Sequence, residues 1–125
     1  MLSAIDHVQI AIPVGAEDAA RPFYRDVLGL TETPKPADMA ARGGIWFEHG
    51  PVHVHLGVEK DFRANVKAHV AFRVDDVPGL IARATAAGFK ASDEPLLDGY
   101  DQRAFLYDPF GNRLEFLRPI QHKAA

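Results

Sequence analysis

The sequence predicts an α+β protein made of two tandem βαβββ modules, and three observations carry that prediction. The segment from Ile5 to Ile12 is repeated in pattern by Lys67 to Val74, each with a His at the third place, a Val after it and alternating bulky apolar residues. Each is followed by a run of apolar residues three and four apart, the mark of an amphipathic helix. Three further strand-like segments then follow in each half. The implied organisation is a single domain over 1–125, with module one at about 4–60 and module two at about 67–119.

In the first strand, Val8, Ile10 and Ile12 form one row while His7, Gln9 and Ala11 form the other, because successive side chains of a strand point to opposite faces. The first helix uses Ala20, Phe23, Tyr24, Val27 and Leu28 and stops at Gly29, which takes a positive φ without strain. Pro22 lacks the N–H that a helix interior needs, so a start near Asp18 is expected. Strands follow at Leu30 to Thr33, Ile45 to His49 and Val52 to Val58, the last opposing its Val and Leu row to His53, His55 and Gly57. The stretch from Pro34 to Arg42 has no periodicity and reads as a loop, and Glu59 to Arg63 as the linker between modules.

Module two opens with Val70, Phe72 and Val74 opposed to His69, Ala71 and Arg73. Its helix uses Val77, Leu80, Ile81, Ala84 and Ala87 and stops at Gly88. Strands at Phe89 to Ser92, Gln102 to Tyr107 and Arg113 to Leu117 complete it, the last setting Leu114 and Phe116 against Arg113, Glu115 and Leu117. The tail from Gln121 reads as disordered, with His122 outside any ligand set.

A chain that is 47% hydrophobic and 25% charged can bury a real core. The absence of cysteine excludes disulfides, thiolate ligands and a cysteine nucleophile, and fits a reducing, cytoplasmic setting. A net charge of −3 with scattered Lys and Arg offers no stripe to nucleic acid, and neither a membrane span nor a signal peptide is visible, so a small-molecule substrate is expected. His7, His55, His69 and Glu115 all fall on the row facing away from the helices, which a concave sheet would gather into one pocket. Imidazoles with a carboxylate suit a divalent metal ion, whether Zn, Ni, Mn, Fe or Co. Gln9, Arg73 and Arg103 share that parity and could bind an anionic substrate, with Trp46, Phe105, Tyr107 and Phe62 as an aromatic wall.

Four segments together, Asp6 to Val8, Phe23 to Leu30, Ala68 to Phe72 and Asp108 to Phe116, resemble the vicinal oxygen chelate superfamily, the group of glyoxalase I, extradiol dioxygenases, fosfomycin-resistance transferases and bleomycin-resistance proteins. The resemblance implies paired modules forming a curved, open barrel-like mixed sheet with helices on its outer face. It also implies a metal held by His7, His69 and Glu115, with His55 at a fourth position that glyoxalase I uses. His53 is the rival of His55: the repeat offset of 62 residues maps Glu115 onto His53, whereas Val54-His55-Leu56 resembles the Ile-Glu-Leu of glyoxalases. Parity leaves both open. The implied activity is that of a metal-dependent enzyme in which the ion acts as Lewis acid on an enolate or oxyanion, as in a glyoxalase-like isomerase or lyase with Glu115 doubling as base. An extradiol-type dioxygenase using Fe(II) and a non-catalytic, bleomycin-resistance-like binding protein are the alternatives, and a homodimer is expected.

Overall fold

The computed structural model describes residues 1–121, so His122 and the end of the tail lie outside the described residues. The chain divides into two compact units, Met1–Ala64 and a second that begins at Asn65. Unit one contains β1 (Val8–Pro13), α1 (Glu17–Arg21) continuing into a π-helical turn (Pro22–Val27), β2 (Thr31–Thr33), α2 (Ala37–Ala40), β3 (Ile45–His49) and β4 (Val52–Glu59). Unit two contains β5 (Ala71–Arg73), α3 (Val77–Ala86), β6 (Ala91–Asp93), β7 (Tyr100–Tyr107) and β8 (Arg113–Pro119). Each unit forms its own four-stranded mixed sheet, ordered β1-β4-β3-β2 and β5-β8-β7-β6. The first and last strands of each unit are parallel, and the remaining pairs are antiparallel. A parallel pair needs a long crossover, which the helix of each unit begins. The α+β class and the doubled βαβββ order are therefore as the sequence predicts.

Three local features differ from expectation. The helix of unit one starts at Glu17, beside the expected Asp18, but widens at Pro22, with Leu28 N–H donating to the Phe23 carbonyl five residues back at 3.0 Å. Proline has no N–H to give and its ring crowds the carbonyl four residues earlier, so a wider turn relieves both problems. The stretch 34–42 holds the four-residue α2. Most consequential for the site, β1 and β5 are shorter than the repeated segments, so His7 and His69 lie just ahead of the regular strands instead of on them. Ladder pairing begins only at Val8 with Val54 and at Ala71 with Glu115.

Helix-facing and opposite rows are unambiguous in each unit. In unit one, Tyr24 from the π-helical turn stacks on Phe47 at 6.1 Å, and Phe47 pairs with Val54, placing Ile45, Phe47, Val54 and Leu56 in the core under the helix. In unit two, the Gln102 side chain accepts from the Val77 N–H at the start of α3, so Gln102, Ala104 and Leu106 face that helix with Leu114 and Phe116 opposite them in the ladder. The other row of each sheet is where the chemistry lies. Among the described residues, no helix is long and apolar enough to cross a membrane.

Candidate functional site

In unit one, Gln9 on β1, His55 on β4 and Trp46 on β3 lie side by side across the sheet, with Thr33 of β2 next in line. Trp46 lies flat on His55, ring centroids 4.2 Å apart and planes 6° from parallel, and His7 stacks on His55 at 4.1 Å and 19°. Two such neighbours cannot share one face of a ring, so the His55 imidazole is sandwiched. Burial pushes its pKa down and the neighbouring His7 pushes the same way, which keeps a lone pair on the ring at neutral pH. His7 directs Nδ1 to Asp6 Oδ2 at 2.8 Å. These residues border a cleft of about 580 Å³, whose other lining includes Met39, Glu48 and His53. Gln9 lies across Gly57, where an added Cβ would come within 2.6 Å of the Gln9 amide nitrogen.

Unit two holds its candidates by charge. Glu115 on β8 is buried at 6% exposure, and its two oxygens have different partners: His69 Nε2 is 2.9 Å from Oε1, while Arg103 Nε donates to Oε2 at 2.7 Å. Burial alone would raise the Glu115 pKa, but the hydrogen bonds from Arg103 and His69 outweigh it and hold the carboxyl below its ordinary range. His69 also directs Nδ1 to the Lys67 carbonyl at 2.9 Å, which puts a proton on Nδ1 and leaves Nε2 as the ring's other face toward the carboxylate. Phe105, the ladder partner of Glu115, meets the edge of His69 at 5.2 Å.

The remaining expected residues divide clearly. Arg103, expected to bind an anion, donates to Glu115 and to the Pro95 carbonyl at 3.0 Å. Arg73 is exposed at the end of β5, Phe105 is buried, and Tyr107 lies under Lys90 Nζ at 4.9 Å. Trp46 covers His55 rather than standing as a separate wall. Sequence reasoning missed Arg113, which shares a row with Glu115 and has its Cζ 4.4 Å from the Phe105 centroid. The parity that singled out Glu115 also pointed to it.

Ladder register distinguishes His53 from His55. The residue two past His7 is Gln9, which pairs with His55; the residue two past His69 is Ala71, which pairs with Glu115. His55 is therefore the register equivalent of Glu115, and Trp46 that of Phe105. His53 pairs with Glu48, as Arg113 does with Tyr107, and its Nδ1 lies 3.6 Å from the Glu48 carboxylate. The repeat offset is 62 residues at the first strands but 60 at the last, and the constant offset used on the sequence failed for that reason. Among the described residues, no three His, Asp or Glu side chains are arranged as a ready-made metal cage.

Residues 4–116 match the family described as the Glyoxalase/Bleomycin resistance protein/Dioxygenase superfamily, and the chain belongs to it. It is similar to the crystal structure of a protein from Bacillus anthracis assigned to the glyoxalase family, with 38% identity over 96% of this chain and 98% of that one and a TM-score of 0.89. The fosfomycin resistance protein FosX from Listeria monocytogenes shares the fold at 15% identity, covering 96% of both chains with a TM-score of 0.76. A FosX variant, at 15% identity over 96% of this chain and 95% of that one with a TM-score of 0.79, was crystallised with Mn(II) and 1S,2S-dihydroxypropylphosphonic acid. No curated protein matches the sequence.

Proposed function

We propose that this protein is a divalent-metal-dependent enzyme acting on a small oxygenated molecule, with His7, His55, His69 and Glu115 as the metal ligands. The observation that supports it best is the facing pair in unit two. With Nδ1 donating to the Lys67 carbonyl, His69 turns Nε2 toward an ionised Glu115 oxygen at 2.9 Å, where a proton on Nε2 makes the hydrogen bond and a divalent cation can take that proton's place. Nitrogen and carboxylate donors of this kind fit Zn, Ni, Mn, Fe or Co, and the Mn(II) in the FosX variant is in keeping with that range. When bound, the ion would supply Lewis-acid stabilisation of an enolate or oxyanion.

The chain's own residues have separable tasks. Arg103 fixes Oε2 of Glu115 and so leaves Oε1 for ligation beside His69. Trp46 holds the His55 ring flat and shields it from water, and burial keeps that ring neutral and able to donate its lone pair. Glu115 is also our candidate for the group that moves a proton between adjacent carbons, as in a glyoxalase-like isomerase or lyase. A cytoplasmic homodimer completes the reading.

Elemental analysis of protein purified without a histidine tag tests it. About one ion per wild-type chain is expected, with loss in His69→Ala and Glu115→Ala. Trp46 is the sole tryptophan, so its emission should change on metal addition and stop responding in His55→Ala. A wild-type chain that takes up no divalent ion after reconstitution overturns the enzymatic reading and leaves a binding protein.

A further inference from the structure

We propose that Arg113 is the anion-recognising residue of the substrate site, so that the molecule bound on the His69–Glu115 face carries a carboxylate, phosphate or phosphonate group. The proposal rests on the functional reading above only in taking that face as the one where substrate binds. Of the cations near it, Arg103 is already committed: Nε to Glu115 and Nη1 to the Pro95 carbonyl. Arg118, farther along β8, is paired with Asp101 at 2.8 Å. Arg73 is exposed on β5.

Arg113 differs from all three. Its Nε is buried and has no hydrogen-bond partner among the described residues, and whereas Arg103 lies over the Phe105 ring at 5.2 Å in addition to pairing with Glu115, Arg113 lies over it at 4.4 Å with no ion pair among the described residues. A guanidinium cannot shed its proton at any ordinary pH, so it cannot escape the cost of an unmatched buried N–H by becoming neutral. Leaving a charged donor unmatched is expensive, and a π face recovers only part of that cost. The planar fork of donors matches two oxygens of a carboxylate or a tetrahedral oxyanion.

Position and potential support the same ligand chemistry. The ring that carries Arg113 also meets the edge of His69, so guanidinium and imidazole are both neighbours of one small aromatic ring. Tyr107 is the ladder partner of Arg113, and Lys90 Nζ lies over the Tyr107 ring at 4.9 Å, so that ring has a cationic residue as each of these two neighbours. Glu115, on the same row of β8, already has its charge balanced by Arg103, which limits its repulsion of an incoming anion.

Calorimetric titration of the metal-free protein with inorganic phosphate and with acetate, and with glycerol as the neutral control, tests the proposal. Wild type should bind at least one anion and ignore glycerol; Arg113→Ala should weaken anion binding about tenfold or more, and Arg113→Lys should keep part of it. Arg25→Ala, a surface change at a residue paired with Asp26, should bind as wild type does. Which anion binds separates a tetrahedral oxyanion from a carboxylate as the recognised group. Equal anion binding in wild type and both Arg113 variants overturns the assignment, as does a wild type that binds neither anion. Arg113→Lys, which retains the aliphatic stem, covers the case in which the alanine variant does not fold. Metal uptake on reconstitution of separate aliquots stays at the wild-type level in both Arg113 variants, so failure of the anion assignment and failure of the metal reading give different results.

Discussion

In module one the row crossing the sheet away from the helix reads Gln9, His55, Trp46 and Thr33; in module two the row at the same register reads Ala71, Glu115, Phe105 and Ser92. The backbone frame is shared, and the means of holding an imidazole is not. His55 is fixed by flat stacking between Trp46 and His7 and has no ion pair among the described residues. His69 is fixed by its hydrogen bonds to a buried carboxylate and a backbone carbonyl, with an aromatic ring only at its edge. One module thus contributes stacked rings and the other a set of paired charges. A duplicated frame allows this division because each row's chemistry depends on side chains whose replacement leaves the ladder intact.

The comparison is most exposed to Glu115→Ala. Removing that carboxylate strands the part-buried Arg103 beside His69, and a loss of roughly 3 kcal/mol is expected, read as a fall in the urea midpoint. His55→Ala removes stacking without stranding a charge and should cost only about 1 kcal/mol in the same assay. Equal losses would break the contrast between a charged and a stacked module. A smaller effect sharpens it at the helices. Asp76 caps α3 by accepting from the Gly79 N–H at 3.0 Å, whereas the N-cap position of α1 is Ala16, whose side chain cannot accept a hydrogen bond. Asp76→Ala should therefore cost about 1 kcal/mol, detected as a lowered thermal midpoint.

The smallest expected effect lies on the surface of module one. Glu32 has its pKa lowered by the hydrogen bond from Arg21, more than burial raises it. A carboxylate with a depressed folded pKa adds stability above its unfolded pKa, and that contribution disappears as pH falls through the folded value. Urea midpoints of wild type and Arg21→Ala should accordingly differ slightly at neutral pH and converge in acid. A difference that persists in acid would assign the effect to packing of the Arg21 stem.

The order of elements was legible because hydrophobic period and glycine stops are local properties, and they mark eight strands and two long helical segments correctly. What failed depended on partners distant in sequence. Where β1 and β5 begin is set by where β4 and β8 offer hydrogen bonds, and so His7 and His69 fell outside the ladders. The choice between His53 and His55 needed register. An even difference in offset lands on the same face of a strand, so parity gave no warning of the slip. Arg103 and Arg113 share the parity of Glu115, yet the sequence reading singled out Arg103 alone, and it is the Glu115 carboxylate that leaves Arg103 committed and the Arg113 Nε unmatched among the described residues. Pro22 did signal trouble in its helix, although the local pattern did not give the form of the relief, a π turn that carries Tyr24 onto Phe47.

The parallel pairing of first and last strands has a consequence for how quickly the chain folds. His69 and Glu115 are 46 residues apart in sequence, and Gln9 and His55 are equally far apart in their own unit. Each pairing closes a loop nearly as long as its module, and contacts of such separation are slow to form and late in the order of events. The antiparallel hairpins β3–β4 and β7–β8 should gain protection from hydrogen exchange first, and the ladders that position the candidate ligands last.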